Sequence, residues 1–134
     1  MSPQVVKNKL RKFDEYLKQL RQYKETTYDT FWEDHLKFER LFELLVMIAS
    51  DIVFHIVALK NDSLPTTYRT AFLRAGELNI LSPDLAKKLA LAAGMRNIIV
   101  HQYEDIDYQK VFENIDEMID VFEIFFVEME ALNI

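Results

Sequence analysis

The sequence predicts an all-α protein, an antiparallel bundle of about five helices in which residues 1–134 form a single domain. Glycine occurs only twice and proline three times in 134 residues, so little interrupts the chain and long helices must fill it. Apolar residues recur at steps of three and four, which is the period of one helix face. A chain of this length suits one domain with one hydrophobic core.

The first two helices follow from their apolar patterns. The first is indicated by a series that repeats every three or four residues: Val6, Leu10, Phe13, Leu17 and Leu20. The second is predicted over about residues 30–60, and from Leu41 onward it is apolar nearly all round, as is typical of a central helix. Its most apolar run, residues 44–59, is shorter than a bilayer span and carries Asp51 and His55. We therefore expect a buried core helix and no membrane segment.

The remaining three helices are placed by their start and stop signals. A short third helix is predicted over residues 67–75, with Gly76 ending it. The fourth begins at Ser-Pro-Asp, residues 82–84, which supply an N-cap, a proline at the first helical position and an acid in the first turn. It ends near Tyr103. After the acidic turn at residues 104–107, a heptad-like apolar stripe predicts the fifth helix: Val111, Ile115, Met118, Phe122, Phe125, Met129 and Leu132.

Composition limits the class of protein. Cysteine is absent, which excludes disulfides and thiolate metal sites and is compatible with a reducing cytoplasm. The chain opens into a charged amphipathic segment without the apolar core of a signal peptide. We therefore expect a cytoplasmic protein without membrane contact.

The charge distribution is uneven. The net charge of −6 is unusual for a protein that binds nucleic acid, because phosphate binding normally relies on Lys and Arg. Seven of the 16 basic residues precede Glu25, whereas residues 104–134 hold ten acids and only one basic residue, Lys110. This pattern predicts a basic end that nucleic acid could approach and an acidic end that it would avoid. Two ordinary solvated helix faces would give the same pattern.

Residues 96–103, Arg-Asn-Ile-Ile-Val-His-Gln-Tyr, are the strongest candidates for chemistry. Arg96 can hold a phosphate through paired N–H donors, and His101 can give or take a proton near neutral pH. On a helical wheel Tyr103 falls about 20° from Arg96, but His101 falls about 140° away. Arg96 and His101 therefore converge on one phosphate only if the helix bends near His101, or if a second copy faces the first across a two-fold axis. A plain helix end with a half-buried tyrosine would show the same spacing.

Several segments around this stretch share a family pattern. They are residues 68–72 (YRTAF), 85–89 (LAKKL), 94–103 and 106–108 (IDY), and the order Arg, four residues, His, one residue, Tyr is complete. The chain thereby resembles the HepT family of the HEPN superfamily over most of its length, least over the first thirty residues. The resemblance implies an all-helical two-fold homodimer that acts as a metal-independent RNA endonuclease, the toxin of a toxin–antitoxin pair.

The resemblance also implies site residues and partners. The substrate would be tRNA or mRNA, and the antitoxin an MntA-like nucleotidyltransferase that adds AMP to Tyr103. Cleavage would proceed by attack of the 2′-hydroxyl on the phosphate, with His101 as acid or base and Arg96 stabilising the added negative charge. Asn97 would bind the phosphate or orient His101, and Tyr103 would contact RNA. No metal and no other cofactor is expected.

A second reading belongs to another class of protein. The chain could be a non-catalytic helical dimer that docks and assists a nucleotidyltransferase, with Arg96 and Tyr103 used for docking or for holding a nucleotide. The presence of His101 argues against this reading, because docking has little need of a side chain that titrates near neutral pH.

Three further residue sets have more ordinary explanations. Asp51 and His55 stand one helical turn apart, as metal ligands or an acid–base pair might, but a third ligand is missing. We expect them to be structural, either buried and hydrogen-bonded or at the dimer seam. His35 is expected on the surface. Gly94 costs about 1 kcal/mol relative to Ala inside a helix, which predicts close approach of another helix, from this chain or from the partner.

Overall fold

The structure is a computed structural model that describes residues 3–60, 63–101 and 104–132. Within these ranges the chain forms seven α-helices and one short 3₁₀ helix, without strands. The helices are α1 (Pro3–Leu20), α2 (Tyr28–Glu33), α3 (His35–Leu59), α4 (Tyr68–Glu77), α5 (Pro83–His101), α6 (Tyr108–Glu113) and α7 (Ile115–Ala131), and the 3₁₀ helix spans Arg21–Tyr23. The predicted all-α class is confirmed.

The helix count exceeds the predicted five because two predicted helices are each divided by a single residue. Asp34 separates α2 from α3, and Asn114 separates α6 from α7. Their ψ angles of 11° and 1° lie outside the helical region, so the chain changes direction there. The two short helices, α2 and α6, then pack against each other. The ring of Phe112 on α6 lies 5.7 Å from that of Phe31 on α2.

The core is built around α3, which contacts α1, α4 and α5. Phe13, Phe42 and Phe122 bring three helices together through completely buried rings, with centroids 5.9 Å apart for Phe13 and Phe122 and 5.6 Å for Phe42 and Phe122. By length and composition α3 could cross a membrane, but 67% of its most apolar window is buried inside the bundle. The expected core helix is confirmed.

Gly76 has a different role from the one predicted. It does not end α4, which continues to Glu77 before Asn79 turns the chain with a φ of 59°. A Cβ on Gly76 would lie 2.6 Å from the Cβ of Ala86 on α5. The glycine is therefore needed for the close approach of α4 and α5. This approach sets the position of α4 beside the helix that carries Arg96.

The predicted separation of charge into two ends is wrong. Helices α1 and α7 pack side by side, and two basic residues that follow α1 pair with acids of α7. Arg21 lies 2.7 Å from Glu123, and Lys24 lies 3.1 Å from Asp120. Sequence alone could not show this neutralisation, because it depends on which helices are neighbours.

Candidate functional site

Helix α5 carries the predicted site residues on its last turns. Proline at its first position and Asp84 in its first turn fit a helix start, and the helix remains regular to His101. The structure therefore shows no bend before His101 that would turn it toward Arg96. Tyr103, predicted as a supporting residue and as the AMP acceptor, lies outside the described residues.

Arg96 points into the bundle and is held on three sides. Its side chain is 17% exposed, and its guanidinium lies over the ring of Tyr68 on α4, 5.0 Å from the centroid. One terminal nitrogen donates to Asn97 Oδ1 at 3.1 Å, and the other lies 3.9 Å from Glu43 Oε1 on α3. Its Nε is buried and finds no acceptor among the described residues. The guanidinium of Arg96 is thus fixed in place, and its distance from Glu43 is too long for a close ion pair.

His101 lies on another side of α5. It is exposed at the end of the helix, about 140° around the helix from Arg96. Leu91, Gly94 and Ile98 share the side of His101, and we call these four residues the open stripe. Leu91 is 69% exposed and Ile98 is 43% exposed. One protomer therefore does not bring Arg96 and His101 together on a single phosphate.

Gly94 faces open space in the protomer. A Cβ built on it would meet no atom of the described residues within 4 Å, so the expected close approach of another helix is not found among the helices that the structure describes. A groove of about 520 Å³ runs beside it between α5 and the α6–α7 segment. Its lining is largely apolar and includes Leu91, Ile98, Ile106, Val111 and Met118.

One side of α3 faces the site with two carboxylates that the sequence did not single out. Glu43 lies near Arg96, and Glu39, one turn earlier, lies near Tyr108 at the start of α6. Burial, together with the hydrogen bond and negative charge of Glu39, raises the pKa of Tyr108 to about 12. Tyr108 is therefore a neutral phenol at cellular pH. These contacts join helices distant in sequence, so no sequence signal pointed to Glu39 or Glu43.

The other candidate residues divide between the core and an aromatic group. Asp51 pairs with Lys9 of α1 at 3.5 Å, and His55 is buried, which lowers its pKa. Across residues 3–60, 63–101 and 104–132, no group of three or more His, Cys, Asp or Glu could hold a metal ion. His35 is half-buried against Trp32, so its expected surface position is only partly correct. Trp32 is the only tryptophan of the chain and lies in an acidic stretch. It was not singled out from the sequence.

Known proteins resemble this chain in both sequence and fold. The family model Ribonuclease HepT-like matches residues 13–129. The tRNA nuclease HepT of Aphanizomenon flos-aquae is 34% identical over 115 residues, and the match covers 84% of this chain and 78% of that protein.

Two solved structures show the same fold. The tri-AMPylated HEPN toxin of Shewanella oneidensis, in complex with MNT antitoxin, gives a TM-score of 0.83 at 22% identity and covers 98% of this chain and 100% of its own. A mutant MntA–HpeT toxin–antitoxin complex gives a TM-score of 0.83 at 20% identity, over 96% of this chain and 99% of the other. At these identities the likeness is one of fold, which is the all-helical HEPN fold.

Proposed function

The chain belongs to the ribonuclease HepT-like family, and from this premise we propose that it is the toxin of a toxin–antitoxin pair, a metal-independent endonuclease that cuts tRNA or mRNA in the cytoplasm. The observation that most supports the proposal is the set of contacts around Arg96. Its guanidinium is held by an aromatic ring and a distant carboxylate, and its buried Nε has no acceptor within the described ranges. A fixed cation with an unsatisfied donor is a preorganised site for an anion.

The chemistry needs only groups that RNA and the protein supply. A base removes the proton of the 2′-hydroxyl, the 2′-oxygen forms a bond to phosphorus, and the bond from phosphorus to the 5′-oxygen breaks. An acid then gives a proton to the departing 5′-oxygen. His101 serves as acid or base, because an imidazole exchanges protons near neutral pH. Arg96 stabilises the additional negative charge on the phosphorane, and Asn97, bonded to Arg96, helps to orient it.

A two-fold dimer would bring the diverging residues together. Arg96 and His101 point about 140° apart on a regular helix, so one protomer presents them to different places. The open stripe exposes Leu91 and Ile98 beside His101, and Gly94 leaves room for a helix to approach. A second copy packed on this stripe buries apolar surface and places two copies of residues 96–103 at one cleft.

The antitoxin would be an MntA-like nucleotidyltransferase that adds AMP to Tyr103. Support comes from the Shewanella toxin, which is described as tri-AMPylated and in complex with MNT antitoxin. AMP on Tyr103 would replace a neutral phenol with an anionic phosphodiester seven residues after Arg96 in the sequence. The added anion would occupy Arg96 and repel the RNA phosphate, as a phosphoryl group does in comparable sites.

Cleavage by the purified chain tests this function. The protein is incubated with tRNA and with mRNA in the presence of EDTA, and the ends of the products are identified. We expect cleavage to persist and to leave a 2′,3′-cyclic phosphate and a 5′-hydroxyl. RNA of the same sequence with 2′-O-methyl groups is the matched control and should stay intact, because it lacks the attacking hydroxyl. A requirement for a divalent cation, or cleavage of the 2′-O-methyl RNA, would contradict the proposal.

A further inference from the structure

Three aromatic side chains form a group where α2, α3 and α6 meet. The rings of Trp32 and His35 are stacked, with centroids 4.1 Å apart and planes 4° apart. The ring of Tyr108 stands at 80° to Trp32 and 77° to His35, with its centroid 5.2 Å from each. Because Tyr108 is equally far from both rings, it lies beside the stack and not over either outer face. The face of Trp32 that points away from His35 is covered by neither of these two rings, and 46% of Trp32 is exposed. We call it the open face.

The group is held in place by polar contacts. His35 Nδ1 lies 2.6 Å from the carbonyl oxygen of Trp32. A carbonyl only accepts, so Nδ1 must carry the hydrogen and donate it. Tyr108 is partly buried beside Glu39 of α3. A ring fixed before binding loses little conformational entropy when a flat ligand stacks on it.

The aromatic group and Arg96 lie along the same side of α3. His35, Glu39 and Glu43 follow one another at steps of four residues, which places them on one side of the helix. Tyr108 contacts His35 and Glu39, whereas Arg96 lies near Glu43. His35 and Glu43 are separated by about 12 Å along the helix axis. A short single strand of RNA spans that distance.

The charges around Trp32 favour a base over other ligands. Asp29, Glu33 and Asp34 are exposed near it in the chain and disfavour a phosphate at this place. A base has a π-face without net charge, and stacking on an aromatic ring needs no charge complementarity. A protein partner would normally bury a broader apolar area around such a tryptophan, and these acids interrupt that area.

We propose that the open face of Trp32 stacks an unpaired base of the RNA whose phosphate is bound at Arg96. The inference rests on the proposed function and extends it, since it gives the enzyme a base-binding subsite in addition to the cleavage site. Stacking strength would then give a modest preference for purines over pyrimidines at this position.

Trp32 is the only tryptophan of the chain, so its fluorescence reports this face directly. The probes are 2′-O-methyl oligoadenylate, which the enzyme cannot cut, and an abasic backbone of equal length and charge. Binding is followed by anisotropy of an end label and by Trp32 fluorescence at one fixed salt concentration. We expect oligoadenylate to quench Trp32 and to bind the parent on the order of 10-fold more tightly than it binds Trp32→Leu.

Matched controls separate stacking from a structural effect. The abasic backbone should bind the parent and Trp32→Leu equally, and Trp32→Phe should keep most of the affinity for oligoadenylate. Leu36→Ala, at an exposed apolar residue of the neighbouring helix α3, should bind like the parent. Equal affinity of the parent and Trp32→Leu for oligoadenylate would overturn the inference, as would equal weakening of both probes.

The outcomes also distinguish this inference from the function on which it rests. If oligoadenylate binds by anisotropy and leaves Trp32 fluorescence unchanged, the base subsite is wrong and the nuclease proposal stands. A fluorescence change that occurs only with the nucleotidyltransferase would make Trp32 a protein-docking residue and reject the base subsite. If neither probe binds and no RNA is cut, both proposals fail.

Discussion

The guanidinium of Arg96 lies over the ring of Tyr68, 5.0 Å from its centroid, and not in a close ion pair. A cation–π contact of this kind stabilises by about 0.5 to 2 kcal/mol, depending on solvent exposure. The near carboxylate, Glu43, is 3.9 Å away, beyond hydrogen-bonding distance. Tyr68 therefore orients Arg96 while leaving most of its charge available to a phosphate.

Replacement of Arg96 tests that availability. Arg96→Ala should cost on the order of 3 kcal/mol of transition-state stabilisation, a roughly 100-fold slower cleavage under single-turnover conditions. Arg96→Lys should recover only part of the rate, because an ammonium cannot bind a phosphate through two parallel N–H groups. Arg21→Ala removes an equal charge from a surface ion pair and should cut at the parent rate. Parent-like cleavage by Arg96→Ala would remove this residue from the mechanism.

A charge placed in the open stripe tests the dimer. Leu91→Glu and Ile98→Glu should each give a monomer in analytical ultracentrifugation and lose RNA cleavage, since an unpaired carboxylate would be buried in the seam. Circular dichroism should show an unchanged helix content. Val127→Glu, at an exposed apolar residue of α7, is the matched control and should remain dimeric and active. A parent protein that is monomeric at all concentrations would exclude a cleavage site formed by both protomers.

Modification by the cognate nucleotidyltransferase tests the switch. With ATP, the enzyme should add AMP to the peptide that contains Tyr103, as seen by mass spectrometry, and RNA cleavage should fall in proportion. Tyr103→Phe should escape both changes. Tyr108→Phe should still be modified, because Tyr108 is partly buried beside Glu39. AMP found on another tyrosine would show that Tyr103 is not the regulatory site. Inhibition by the nucleotidyltransferase without any mass change would favour occlusion of the cleft.

The buried His55 predicts a pH dependence of stability. In the folded protein, burial lowers the pKa of His55 below its ordinary value of 6.5. His55 therefore binds a proton more readily in the unfolded chain. Stability from this residue is therefore complete above pH 6.5 and is lost as the pH falls through 6.5 toward the lower folded value. In urea unfolding, His55→Leu should lose less stability than the parent between about pH 7.5 and about pH 5.5. An identical pH dependence of stability for His55→Leu and the parent would refute this assignment.

The sequence predicted those features that depend on local pattern. The start of α5 followed from its proline and first-turn acid, and the core face of α1 from its three- and four-residue repeat. The breaks at Asp34 and Asn114 were missed because apolar residues continue on both sides of each. Gly76 was misread as a terminator, since a glycine that ends a helix and one that lets two helices approach look the same in sequence.

The residue types of the candidate site were proposed from the sequence, whereas its contacts come only from the structure. Arg96 and His101 were identified from their chemistry and from the family pattern. The ring that holds Arg96 and the carboxylate near it come from α4 and α3, and only packing brings these helices together. The pairing of Arg21 with Glu123 was hidden for the same reason.

Proton transfer by His101 is the central claim, and the single-turnover cleavage rate of His101→Ala in EDTA tests it most directly. The variant should cut RNA roughly 10²- to 10⁴-fold more slowly than the parent. Its helix content should be unchanged, because His101 is exposed at the end of α5. Dimerisation of the variant is measured alongside the rate, because His101 belongs to the open stripe. A His101→Ala protein that is folded and dimeric and cuts RNA as fast as the parent would contradict the account.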